Sequence, residues 1–194
     1  AYMGDLDGKL WRFDIKLDAM KIPKINAATK LYDAGAGHPM FSSMATVTVA
    51  GTHQYLFQAT GSDLLPSNKV AQQYQLLIVK DNGASGTLAT TGAKPILLEK
   101  VDGIGNDEKV TSFPAVAGDI VFFSTTTFKP AAPCSLPDGN LYAFTFIGGP
   151  AYDTTNDGKV DSTDKPKITT TVGERASAPF IVDQHVVFSA GNRI

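Results

Sequence analysis

Pro114-Ala-Val-Ala-Gly-Asp-Ile-Val-Phe-Phe-Ser124 and Pro179-Phe-Ile-Val-Asp-Gln-His-Val-Val-Phe-Ser189 align at an offset of 65 residues. Each is a pair of short β-branched or aromatic runs around two polar residues, Gly118-Asp119 in the first and Asp183-Gln184 in the second. That is the pattern of a β-hairpin. A weaker copy, Val47-Thr-Val-Ala-Gly-Thr-His-Gln-Tyr-Leu-Phe57, places Phe57 opposite Phe123 at an offset of 66. A second unit tests the spacing independently. Asp7-Gly-Lys-Leu-Trp-Arg-Phe-Asp-Ile15 aligns with Asp138-Gly-Asn-Leu-Tyr-Ala-Phe-Thr-Phe146 at an offset of 131, which is 65 and 66 together. The middle copy then falls near residue 76, where Gln75-Leu-Leu-Ile-Val79 stands, so Leu10, Leu76 and Leu141 share one register. Two units that keep the same spacing define an internal repeat.

Outward from these units the reading stays β. Val, Ile, Phe, Tyr and Thr fill short segments bounded by Gly, Asp, Asn and Pro. In the unit after Asp138, Leu141, Ala143 and Thr145 share one face, and Tyr142, Phe144 and Phe146 share the other. Such a strand suits burial between two sheets. Helical periodicity is poor; Asn26 to Tyr32 has room for a turn or two at most. The expectation is an all-β chain of about three four-stranded β-propeller blades. Because ~40–50 residues is the usual blade period, a period near 65 implies insertions. Thr60 to Gln73, Asn82 to Pro95, Thr126 to Pro137 and Gly148 to Lys165 are the candidates. Propellers close with roughly 4–8 blades, so residues 1–194 are expected to be part of a single larger propeller domain. An intact small β-sandwich is the alternative.

Composition excludes more than it selects. With 17 Lys and Arg against 19 Asp and Glu, the net charge is −2, and Arg12, Arg175 and Arg193 lie far apart. No basic face for nucleic acid or an anionic membrane is expected. The 43% apolar content suits a packed core, and no apolar run approaches the ~18–20 residues of a membrane span. No signal peptide is visible. The single cysteine, Cys134, excludes an internal disulfide and a thiolate metal cluster.

One candidate insertion carries recognisable chemistry. Residues 153 to 164 read Asp-Thr-Thr-Asn-Asp-Gly-Lys-Val-Asp-Ser-Thr-Asp. Oxygen-bearing side chains stand at loop positions 1, 3, 5, 9 and 12, which are Asp153, Thr155, Asp157, Asp161 and Asp164. Gly158 occupies position 6, where the chain must turn sharply, and Lys159 at position 7 offers its backbone carbonyl. That is the calcium-loop pattern of the EF-hand. Four carboxylates in twelve residues repel one another, and a divalent cation turns the repulsion into a cross-link. Gly148-Gly149-Pro150 before the loop and Pro166 after it make residues 148–166 an EF-like insertion between strands. Asp164 is shorter than the usual Glu, so residues 153 to 161 can close the site alone, with Asp164 outside it. A solvated Asn/Asp/Gly turn is the alternative.

Other candidates carry less. Asp5-Leu-Asp7-Gly8 and Asp102-Gly-Ile-Gly-Asn-Asp-Glu108 lack the alternate-position series and read as surface turns. His38, His53 and His185 have no paired spacing suited to zinc and read as loop or rim residues. Trp11 reads as a core strand residue. Gly35-Ala-Gly37 and Gly103-Ile-Gly105 both fail at the third glycine of a dinucleotide fingerprint, and no nucleophile elbow or phosphate loop occurs. Cys134, between Pro133 and Ser135, reads as an inert or externally paired thiol. No catalytic constellation emerges.

Tyr2-Met-Gly-Asp-Leu-Asp-Gly-Lys-Leu-Trp-Arg-Phe-Asp-Ile15 resembles the tyrosine-x-glycine-aspartate-leucine…tryptophan-arginine-phenylalanine-aspartate strand of PilY1-like proteins, the type IV pilus assembly and tip-adhesin factors. Phe57-Gln-Ala-Thr-Gly61 resembles that family's strand ending in a Gly-Thr-Gly turn, and Tyr74 to Gly83 resembles the strand after it. The resemblance implies a modified seven-bladed propeller, exported to the cell surface, with an EF-like calcium loop linked to pilus extension and retraction. It implies pilin or minor pilin subunits, or a host-surface receptor, as partners. Only Asp153, Thr155, Asp157, Lys159 and Asp161 match the family's calcium loop, and here that loop follows Asp138 to Phe146 instead of preceding the Gly-Asp-Leu strand. No Arg-Gly-Asp tripeptide is present. The expected function is a surface-exposed, calcium-binding, non-enzymatic propeller module. Two alternatives stand beside it: a propeller of the quinoprotein alcohol dehydrogenase type, with calcium beside a pyrroloquinoline quinone, and a generic secreted scaffold stabilised by calcium.

Overall fold

A computed structural model describes residues 1–49, 53–62, 73–101, 106–110, 112–127 and 136–189. Among these residues every regular element is a strand. The first sheet is β1 (Tyr2–Gly4), β2 (Lys9–Leu17) and β3 (Pro23–Asp33), antiparallel in that order. The second runs β4 (Ala45–Val49), β5 (His53–Ala59), β6 (Gln75–Asp81) and β7 (Gly86–Leu88), with β8 (Ile96–Leu97) also paired to β6. The third contains β9 (Lys100–Val101), β10 (Asn106–Lys109), β11 (Ala115–Ala117), β12 (Ile120–Thr127), β13 (Asp138–Thr145) and β14 (Lys167–Thr171). Its order is β14-β13-β12-β10-β9, and β11 shares with β10 the far side of β12. A last hairpin joins β15 (Phe180–Val182) to β16 (His185–Val187).

The repeat is visible in the pairing. Ala117 pairs with Ile120 and Val182 with His185, so both ends of the hairpin recur at the offset of 65 seen in the sequence. Asp183 and Gln184 turn the second of these with φ of 45° and 66°, the left-handed pair that matches the twist of a two-residue hairpin. The earlier copy, β4–β5, pairs Val49 with His53 across a connection one residue longer. In the second and third sheets the hairpin is followed by a strand that pairs with its second arm, β6 on β5 and β13 on β12, and then by a fourth, β7 or β14. β2 and β3 are the corresponding third and fourth strands of the first sheet.

The sheets pack face to face in chain order because the central one is apolar on both faces. Along β5 and β6 the period of two sends Leu56, Leu77 and Val79 to one side, against Leu10, Leu31 and Met40. It sends Phe57, Leu76 and Ile78 to the other, against Val121, Phe123, Tyr142 and Phe144 of the third sheet. Each of these large side chains contributes about 1.5–3 kcal/mol by leaving water. The alternation read for β13 holds: Tyr142 and Phe144 enter the shared core, Phe146 packs on it, and Leu141 and Ala143 are buried on the reverse face.

Two segments differ from the sequence reading. Asn26 to Tyr32 forms no helical turn; it lies in β3, paired with β2 from Lys9↔Asp33 to Leu17↔Pro23. Pairing along eleven residues overrides the local Ala and Lys content. Asn82 to Pro95 is not simply an insertion, since it supplies β7 to the second sheet. Most of the proposed insertions at Thr60 to Gln73 and Thr126 to Pro137, with Cys134, Gly103-Ile-Gly105 and Arg193, lie outside the described residues. No helix among the described residues is long and apolar enough to cross a membrane.

Candidate functional site

The acidic loop hangs between β13 and β14. Its neck begins at a turn in which Thr145 receives the N–H of Gly148 on its carbonyl and that of Gly149 on its hydroxyl, beside an isolated bridge from Phe144 to Pro150. Beyond the neck the backbone is folded by its own carboxylates. Asp153 accepts the N–H of Gly158 at 2.8 Å and that of Asp157 at 3.3 Å. Asp157 accepts the Lys159 N–H at 2.9 Å, and Asp161 accepts the N–H and hydroxyl of Thr163 at 2.8 and 2.7 Å. Gly158 takes a φ of 86°, the left-handed turn expected at position 6, and Asn156 takes 57°.

Asp164 closes the loop. It is 6% exposed, while residues 156 to 163 all face solvent. One of its oxygens accepts the N–H groups of Thr154 at 2.7 Å and Thr155 at 3.0 Å and the Thr154 hydroxyl at 3.1 Å. The other accepts the Asp161 N–H at 2.9 Å. The Asp161 N–H, with those of Thr155 and Thr154, holds this carboxyl below the ordinary aspartate range against the opposing effect of burial. The backbone N–H and then the hydroxyl of Thr163 lower Asp161 in the same way. Position 12 thus serves as the clasp of the loop, both its carboxylate oxygens taken up by the loop's own N–H groups.

Among the described residues no three His, Cys, Asp or Glu side chains converge on one point. Asp153, Asp157 and Asp161 each turn at least one oxygen to the loop's own N–H groups, and the second oxygens of Asp157 and Asp161 make no hydrogen bond within the described residues. The donor set is nonetheless of one kind: carboxylate, hydroxyl and carbonyl oxygen from Asp153, Thr155, Asp157, Lys159 and Asp161. Hard oxygen donors suit calcium, as they suit magnesium and manganese, better than zinc or copper.

Two polar centres are not evident in the sequence. Glu108, fully buried on β10, receives the Thr125 hydroxyl, the Asn140 amide at 2.8 Å, the Tyr142 hydroxyl at 2.8 Å on both oxygens and the Glu99 N–H at 3.1 Å. Lys167 stands 3.9 Å away, bonded at 2.9 Å to Glu99 and lying over the Tyr142 ring. Burial first, and then the Glu108 charge, push the Tyr142 hydroxyl far up. A carboxylate so surrounded by donors, and closed to water, locks strands together. At the opposite core, Asp81 accepts two bonds from Arg12 at 2.9 and 3.1 Å, the Tyr2 hydroxyl at 3.0 Å and the Gly83 N–H at 2.7 Å. Burial raises the Asp81 carboxyl, but the Gly83 N–H, Arg12 and Tyr2 together hold it below its usual range.

The remaining candidates fall into place individually. Asp5 accepts the Trp11 indole N–H at 2.8 Å and the N–H groups of Lys9 and Asp7, so Asp5 to Gly8 is a structured turn between β1 and β2. His53 and His185 are exposed, but His38 is not the rim residue its loop context suggests. It is 3% exposed, donates from Nε2 to the Gln73 carbonyl at 3.0 Å and meets the Tyr74 ring edge-on. No protein-family model, curated protein or solved structure matches the chain.

Proposed function

We propose that this chain is a calcium-ordered, surface-exposed segment of a β-propeller that works at a type IV pilus tip or in pilus assembly, by binding and not by catalysis. The observation that carries the reading is the loop of residues 153–164, an oxygen-only donor set at EF-hand spacing on a solvent-facing excursion clasped by Asp164. Calcium there would supply charge neutralisation and a cross-link; the chain's own residues supply the frame. Asp153 and Asp157 fold the first half of the loop, Asp161 folds the second, and Asp164 joins the halves at the neck. An ordered loop on a rigid sheet is a recognition surface. A hairpin followed by two further strands in both the second and the third sheet, with the first three sheets stacked face to face in chain order, supports the propeller reading. The resemblance of Tyr2 to Ile15 to the PilY1-like strand supports the pilus reading, and with it a cell-surface location and pilin, minor pilin or host-receptor partners.

Calorimetric titration of the chelator-treated chain with calcium tests the site. At a hundredfold excess over Kd a single site adds about 2.7 kcal/mol of stability, which raises Tm by about 5–11 °C for a chain of this size. Asp157→Asn should abolish most of that gain and leave the calcium-free Tm in place. No heat of binding and the same Tm with calcium and with chelator would remove calcium from the account. Failure of purified pilins to bind the calcium-loaded chain would remove the pilus.

A further inference from the structure

The network around Glu108 contains groups that can react with one another. Asn140, on β13, is buried, and both ends of its amide are held. Its Oδ1 accepts the Thr170 hydroxyl at 2.7 Å. Its Nδ2 donates to Glu108 Oε1 at 2.8 Å and to the Thr125 and Thr127 hydroxyls at 3.1 and 3.2 Å. The other oxygen of Glu108 lies 3.9 Å from the Lys167 Nζ. One carboxylate closed to water thus stands between the nitrogen of an amide and the nitrogen of an amine.

The pairing of β13 with β14 brings amine and amide within reach. Asn140 pairs with Thr170 and Tyr142 with Lys167, so Asn140 and Lys167 are diagonal neighbours on one face of the sheet. Such positions lie about 7–8 Å apart, within the span of a long side chain. The Nζ already sits over the Tyr142 ring, 5.3 Å from its centroid, and Tyr142 follows Asn140 on the same face of β13. What holds the amine back is Glu99 at 2.9 Å, itself 64% exposed. An ion pair open to water is weak and is readily exchanged.

We infer that Lys167 and Asn140 join in an intramolecular isopeptide bond, with Glu108 carrying the protons. Lys167 passes one proton to Glu108 Oε2, which leaves a neutral amine as nucleophile. The Nζ attacks the Asn140 Cγ, and the charge that develops on Oδ1 is met by the Thr170 hydroxyl. Glu108 delivers its proton from Oε1 to Nδ2 and takes the second proton from Nζ. The Cγ–Nδ2 bond breaks as the Nζ–Cγ amide forms. Of the three Nζ protons one stays in the new amide and two depart with the old amide nitrogen as ammonium, so Glu108 ends as the carboxylate it began. No oxidant or cofactor enters. The bond ties β13 to β14 across the neck of the acidic loop, and it does not depend on calcium in that loop.

The test is the mass of the intact full chain under denaturing conditions. The expected value is the sequence mass less one ammonia, and proteolysis should release a branched peptide that contains both Asn140 and Lys167. Lys167→Arg keeps a cation over Tyr142 but offers no amine, so it should fold with the parent's circular dichroism and show the full mass. Glu108→Gln removes the proton carrier and should show the full mass as well. Full mass in the parent chain would overturn the inference. An ammonia loss that persists in Lys167→Arg would overturn it too, by placing the loss elsewhere, as in a succinimide at Asn82-Gly83. Loss of water in place of ammonia would assign the bond to a carboxylate and not to Asn140. An undiminished ammonia loss in Glu108→Gln would overturn the part given to Glu108.

Discussion

Tyr142→Phe isolates one atom of the buried network around Glu108. The ring stays, with its packing on Phe144 at 5.8 Å between centroids and its place in the core. What leaves is a hydroxyl 2.8 Å from each oxygen of a carboxylate with no exposure to solvent. A hydrogen bond to a charged group is worth about 1.5–3 kcal/mol net. At roughly 2–4 °C per kcal/mol for 150–250 residues, Tm should fall by about 3–12 °C. Glu108→Gln removes the charge and sets an amide among the Thr125, Asn140 and Tyr142 donors, so it should cost at least as much. The double variant should lose less than the two losses added, by a coupling of about 0.5–3 kcal/mol. Thermal and urea unfolding of the four proteins, followed by circular dichroism, provides the cycle. A Tyr142→Phe protein within about 1 °C of the parent, or strict additivity, would show that the network does not hold the third sheet together.

Three further outcomes follow from the same structure. Arg12→Ala strands Asp81, whose side chain is only 6% exposed, and should cost near the lower end of the about 3–5 kcal/mol of a broken buried pair; a urea midpoint within error of the parent would deny Asp81 that dependence. Gly139→Ala puts a Cβ 2.5 Å from the Ala176 nitrogen and 2.8 Å from the Glu174 carbonyl, both backbone, so a loss of about 1–3 kcal/mol is expected where a free surface strand would be indifferent. Burial, and then Asp81, push the Tyr2 hydroxyl up to about 12, and Tyr142 moves the same way. Unfolded tyrosines release their protons near pH 10, so this stability is present below pH 10 and is lost as pH rises toward 12. Urea midpoints between pH 9 and 12 check the sign, and Tyr2→Phe should flatten the slope.

The repeat was legible because hairpins announce themselves locally. Gly118-Asp119 and Asp183-Gln184 sit between apolar runs, and both pairs form the turns read from them. β13 was legible for a different reason, since alternating aromatic and small residues mean a strand with two unlike faces, and both its faces are buried. Legibility failed where pairing alone decides. β3 is mostly exposed, so no hydrophobic period marks it, and its register comes from β2. β7 is the run Gly-Thr-Leu, too short to stand out from a loop, and only its partner β6 makes it a strand.

The same distinction separates the two kinds of polar site. The acidic loop could be read because all its interactions are local: Asp153 reaches Gly158 and Asp164 reaches Thr154, within one short stretch of chain. Glu108 could not, because Asn140 and Tyr142 come from β13, more than thirty residues onward, at separations of 32 and 34. Its own surroundings, Asn-Asp-Glu-Lys, look like a solvated turn. One signal was present and unread: Ser124-Thr-Thr-Thr127 is a polar run in a strand whose partner is also buried, and hydroxyls in such a place need an acceptor. Arg12 and Asp81 extend the point to the family resemblance. Trp11 and Arg12 are its most distinctive residues, and the structure commits the indole N–H to Asp5 and the guanidinium to Asp81. Arg12 ties the first sheet to the second, and Trp11 pins the turn between β1 and β2. Their presence therefore weighs on the architecture, while any adhesive or regulatory role rests on the loop of residues 153–164, whose side chains remain at the surface.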